Sequence, residues 1–178
     1  MERGDLMRKF LSDACEKALN KILGAFFQMN SISDNMAYAL DCELDCPIAS
    51  KEFHLKYAHA FVGDMFADKL SDTMVRNNLR PVRYALVENV KSYNNISEVF
   101  EENYVEIGKL RSLIANTIYE LDYDLENKSI VVLLENMLED LMQYHKQASI
   151  WADKAKEYVS ANDVRAFDKH FDDFTFLA

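Results

Sequence analysis

Residues 97–125 read SEVFEENYVEIGKLRSLIANTIYELDYDL. Phe100, Tyr104, Ile107, Leu110, Ile114, Ile118, Leu121 and Leu125 recur there at intervals of three and four. That spacing gathers side chains onto one face of a helix with 3.6 residues per turn. The positions between them are rich in Glu, Lys, Arg and Asn, so the other face suits water. Ser97 offers an oxygen to cap the helix start, and the stretch reads as one long amphipathic helix.

The same period holds on both sides of this stretch. From Met7 it runs through Phe10, Leu11, Ala14, Ala18, Ile22, Ala25, Phe26, Met29, Ile32, Met36 and Leu40, one first helix with a bend expected near Asn30-Ser31. Pro47 interrupts it, and Ser50 with Glu52 reads as a new start. A second helix then carries Phe53, Tyr57, Phe61, Met65, Leu70, Met74 and Val75 as far as the polar break Arg76-Asn77-Asn78. Pro81 suits the first turn of a short helix from Val82 to about Tyr93. After Glu126-Asn127-Lys128, a fourth long helix carries Val131, Leu134, Met137, Leu138, Leu141, His145, Ala148, Trp151 and Ala155. Asn162-Asp163 opens a tail with Phe167, Phe171, Phe174 and Phe176, expected to dock on the bundle or on another subunit. Short breaks make neighbours antiparallel. The expectation is a single all-α domain over residues 1–178, an antiparallel four-helix bundle with a short extra helix between the second and third long helices.

Composition agrees. The 178 residues include only four Gly and two Pro, too few for the turns of a sandwich or barrel, and 49% are hydrophobic, enough for a core without disulfides or a structural metal. The formal charge of −10 repels phosphate backbones and attracts cations, which argues against nucleic acid as a direct partner. Met1 to Leu6 carries no apolar signal core, and no apolar run approaches the roughly 20 residues that span a bilayer, so a cytoplasmic location is expected. Cys42 and Cys46, four apart, fit one helical face; with Cys15 they read as reduced packing residues, a zinc or redox role being the alternative. No glycine-rich phosphate loop, nucleophile elbow or Cys-His catalytic signature occurs.

From Phe53 to about Trp151 the chain resembles the mini-ferritins, the starvation-induced DNA-protection proteins of bacteria. The residues that carry the likeness are Arg80-Pro81-Val82 at the central connection, Asp68-Lys69-Leu70-Ser71-Asp72 before it, and Tyr144-His145 on the last helix. The resemblance implies a ferritin-like fold, a hollow homo-oligomer built through two-fold interfaces, and a di-iron ferroxidase site shared between subunits. Counted back from Arg80, Asp68 and Asp72 fall at that family's acidic pair, His54 within one residue of its second-helix His, and Asp41 near its first-helix His. Here Asp72 stands for Glu and Asp41 for His, and Tyr57, Ala58 and His59 occupy the place of a further acid. His59 and Asp64 are additional candidate ligands.

Residues three and four apart on one helix share a face, so a continuous second helix puts His54, Phe61, Met65, Asp68 and Asp72 on one stripe. Carboxylate and imidazole suit ferrous iron; a pair of acids at this spacing also serves as an ordinary solvated face. His145 reads either as a metal ligand or as a hydrogen-bonded core histidine. No Glu is followed three residues later by His, which disfavours a di-iron centre within one bundle. Two readings follow: iron sequestration with Fe(II) oxidation at an altered inter-subunit site, or a ferritin-fold assembly protein without metal chemistry. The N-terminus lacks a Lys-rich arm for DNA.

Overall fold

A computed structural model describes residues 10–177. The expectations placed on Met1 to Leu6 and on the start of the first helical period at Met7 lie outside these residues. Every regular element described is helical: α1 (Asp13–Cys42), α2 (Pro47–Lys56), α3 (Ala67–Arg76), α4 (Ile96–Leu121), α5 (Lys128–Ser160) and α6 (Val164–Lys169), with 3₁₀ turns at Ala58–Phe61, Leu125–Asn127 and Phe171–Phe174. None of these helices is long and apolar enough to cross a membrane.

Local chemistry sets the boundaries. The Ser12 hydroxyl accepts from Cys15 N at 3.1 Å, so α1 begins at Asp13, later than the apolar period predicts. Pro47 is the first residue of α2, where its missing N–H costs nothing. Ser50 is therefore inside the helix and is no cap; its hydroxyl donates to Ala37 O at 2.7 Å and ties α2 to α1. The α4 start lies at Asn95, whose side chain accepts from Glu98 N, while the Glu98 carboxylate accepts from Asn94 N. This reciprocal box takes the place of the expected Ser97 cap.

The second long helix is interrupted. Between α2 and α3 the chain turns through Ala58–Phe61 and Gly63, and Asn30 Nδ2 on α1 donates to the Ala58 carbonyl freed by the break. The reason lies in packing. Positions five apart in a continuous helix point about 140° from each other, yet Phe61 and Phe66 are both buried, their rings 5.8 Å apart. Three long helices, of 30, 26 and 33 residues, thus replace the expected four.

The short helix expected over Val82 to Tyr93 is absent; residues 79–93 are extended. Polar side chains of α1 take the main-chain groups that a helix would use internally. Glu16 accepts from Arg80 N, Asn20 donates to Arg80 O and accepts from Val82 N, and Gln28 donates to Val87 O and accepts from Val87 N. Asn35 then donates to Lys91 O, and Glu43 accepts from Tyr93 N. At Gly24 the Tyr84 ring comes so close that an added Cβ would stand 3.3 Å from it. The strap runs parallel to α1 for nearly its whole length, so α4 starts beside the start of α2. The α2–α3 arm and α4 consequently run the same way, opposite to α1 and α5.

The core between these helices is aromatic. Trp151 stacks on Phe171 at 5.1 Å and meets Phe53 and Tyr57 edge-on, and Phe61 and Phe66 surround Tyr144. The C-terminal segment docks on its own chain: Gln147 donates to Phe174 O and accepts from Phe176 N, and Trp151 Nε1 donates to Thr175 Oγ1. Asp168 on α6 accepts from Ala49 N at 2.7 Å, supplying the cap that Cys46 does not provide for α2.

Candidate functional site

The break after α2 determines where the candidate ligands go. His54 faces α1, its Nδ1 3.0 Å from Asp34 Oδ1, and both side chains are about three-quarters buried. The two atoms are shut off from solvent, yet neither is in an aligned hydrogen bond. His59, on the 3₁₀ turn, sets its ring 4.5 Å from that of His54. The turn is held there by Asn30, one helical turn before Asp34 on α1. Two metal-competent side chains from two elements thus meet at one corner, with the His59 ring against that of His54.

The other candidates are elsewhere. The inward face of α3 is Ala67, Leu70 and Met74, so Asp68 and Asp72 are exposed on its outer face. Asp64 is exposed in the turn before α3, and Asp41 in the last turn of α1. The single stripe expected to join His54, Phe61, Met65, Asp68 and Asp72 does not exist, because the break rotates α3 relative to α2: Phe61 is buried and Met65 exposed. Among the described residues no group of three or more His, Cys, Asp or Glu side chains converges to hold a metal within one subunit. Asp34 and His54 stop short of a full set, with His59 alongside and exposed.

His145 is a hydrogen-bonded histidine, partly exposed on α5. Its ring stacks on Tyr104 at 4.6 Å, and its Nδ1 is 2.7 Å from an Arg111 nitrogen. A guanidinium only donates, so Nδ1 accepts and the proton sits on Nε2. Burial first, and the Arg111 charge second, hold this imidazole below its ordinary value of 6.5. The cysteines are unpaired. Burial, then Asp168 and Asp45, pushes the Cys46 thiol up to about 12, and burial, then Asp124, takes Cys15 to about 11. Both stay protonated and pack, as expected; Cys42 is exposed.

Sequence reasoning missed Asp34. Its only signal was an acid on the first helix seven residues before Asp41, and seven residues keep nearly the same helical face. In the interior, the Tyr57 hydroxyl and the Asn103 amide are buried beside each other without an aligned hydrogen bond. No protein-family model matches this sequence, and no curated protein matches it as a relative.

Proposed function

We propose that the chain is a ferritin-like subunit of a homo-oligomer that takes up ferrous iron at a site completed between copies, with His54, Asp34 and His59 as each copy's contribution. The fold half of this reading is supported by the strap: one long crossover between two parallel inner rods is the layout of ferritin-like bundles. The metal half is carried by one observation, the 3.0 Å approach of His54 Nδ1 and Asp34 Oδ1 without an aligned hydrogen bond. Two donor atoms at that separation suit neighbouring ligands of one cation, and imidazole with carboxylate suits Fe(II). Asp68 and Asp72, exposed on α3, are free to complete the set from a second copy.

The test is aerobic Fe(II) addition to metal-free protein, followed by size-exclusion chromatography with iron detection. Iron should co-elute with an assembled wild type and be lost in His54→Ala/Asp34→Asn; loss in Asp68→Ala/Asp72→Ala assigns the second copy's share. A wild type that retains no iron and oxidises none above buffer removes the metal half. The second reading, an assembly protein without metal chemistry, is favoured by the bundle centre. Phe53, Tyr57, Phe100, Tyr144 and Trp151 fill the interior where di-iron bundles place Glu and His. That reading expects the same assembly with no iron in it.

A further inference from the structure

The end of the molecule formed by the start of α1 and the α4–α5 turn plays no part in the site above. There Tyr119, Tyr123 and Leu125 are 85%, 87% and 87% exposed. Three large side chains grouped at one tip exceed the scattered exposure of an ordinary monomer surface and mark a contact. Beside the tip a groove of about 620 Å³ runs along α1, floored by Ala14, Ala18 and Gly24 and walled by Tyr84 of the strap. Lys17, Lys21 and Glu120 line its rim, and among the described residues neither lysine is in an ion pair. The tip reads YELDYDLE over residues 119–126, four acids among its apolar side chains. In a chain of charge −10, copies repel each other, and a paired basic rim and acidic tip is where they would attract.

We propose that this face is a two-fold contact between copies, the tip of each seated in the α1 groove of the other, with Lys17 and Lys21 facing the acids around Glu126. Tip and groove are neighbours on one subunit, so a single two-fold axis satisfies both contacts at once. Three tip side chains at roughly 150 Å² each, matched by the groove that receives them, bury about 1,800 Å² over the pair, the size of a standard stable interface. The contact rests on the homo-oligomer half of the proposed function and is independent of iron.

Sedimentation velocity on the metal-free full chain tests it. The wild type sediments as a dimer or a larger assembly, and Tyr119→Ser/Tyr123→Ser weakens self-association roughly 30-fold or more. Lys17→Glu/Lys21→Glu and Glu126→Lys each dissociate alone, and an equimolar mixture of the two reassociates, because the mixed pair restores both attractions. Circular dichroism checks that each variant is folded. A wild type that is monomeric at high micromolar concentration, a Tyr variant that sediments like wild type, or a mixture that stays apart overturns the contact. Iron retention is read on the wild type and on His54→Ala/Asp34→Asn, which leaves tip and groove untouched: a wild type that assembles without retaining iron loses the iron site and keeps the contact.

Discussion

At the residue scale, His145 gives a pH dependence with a definite sign. Its native pKa lies below the ordinary value of 6.5, through burial and then Arg111, so as pH falls below about 6.5 the unfolded chain binds a proton that the native chain resists. Stability present above that value is lost on the way down through the native pKa. Between about pH 7.5 and about pH 5.5 the urea midpoint of wild type should therefore fall more than that of His145→Gln, and equal slopes would remove this assignment. The thiols make a second prediction. Cys42 is exposed, whereas Cys15 and Cys46 are buried and held protonated, so native protein should react with a thiol reagent at one cysteine and unfolded protein at all three. Rapid native reaction of Cys46 would mean that the α1–α2 corner opens. That Cys15 and Cys46 pack was legible in the sequence, whereas Cys42 is exposed at the end of α1 and shares no helix with Cys46; the His145–Arg111 partnership was not legible, since it joins positions 34 residues apart on two helices whose rotation only the fold sets.

At the element scale, the strap carries the largest departure from the sequence pattern. Val82 to Tyr93 has residues that tolerate a helix, and Pro81 suits a helix start, but local propensity gives way where tertiary partners claim the main chain. Asn20 and Gln28 each present a donor and an acceptor to extended backbone, much as a neighbouring strand would. Their signal in the sequence was faint: polar residues eight apart on an otherwise periodic helix. Asn20→Ala should cost about 1–3 kcal/mol, since the buried amide loses two bonds at once. It should also speed tryptic cleavage after Arg83, which mass spectrometry of timed digests would locate. Unchanged cleavage would mean that Glu16 and Gln28 suffice to hold the strap. The long helices α1, α4 and α5 were legible because their apolar period is sustained. The break at Ala58–Phe61 was not, because Phe61 and Met65 preserve the period while the chain abandons it. Asp168→Asn tests the opposite case, an element end capped from far away: losing the charge at the α2 N-terminus should cost roughly 1 kcal/mol in chemical denaturation.

At the scale of the whole molecule, the C-terminal segment and the aromatic interior are one structure. The sequence left open whether the Phe-rich tail served its own chain or another, and composition alone could not choose: apolar rings look the same to either. The fold decides through polar partners, since Gln147 spends both ends of its amide on the main chain of Phe174 and Phe176, and Trp151 gives its N–H to Thr175. Without the tail these groups would lose their partners and the rings beneath it would be bared to water, a cost that an exchangeable arm would impose on every unassembled copy. The tail is therefore part of the core. Phe171→Ala should destabilise by about 3–5 kcal/mol, as expected when a buried ring leaves a cavity. Trp151, the chain's single tryptophan and fully buried against Phe171, reports the event directly. Its emission should shift to the red and become open to acrylamide in the variant before the helices melt by circular dichroism. A coincident loss of both signals would instead place α6 and the long helices in one cooperative unit, and an unshifted Trp151 would show that the indole does not depend on the tail for its burial.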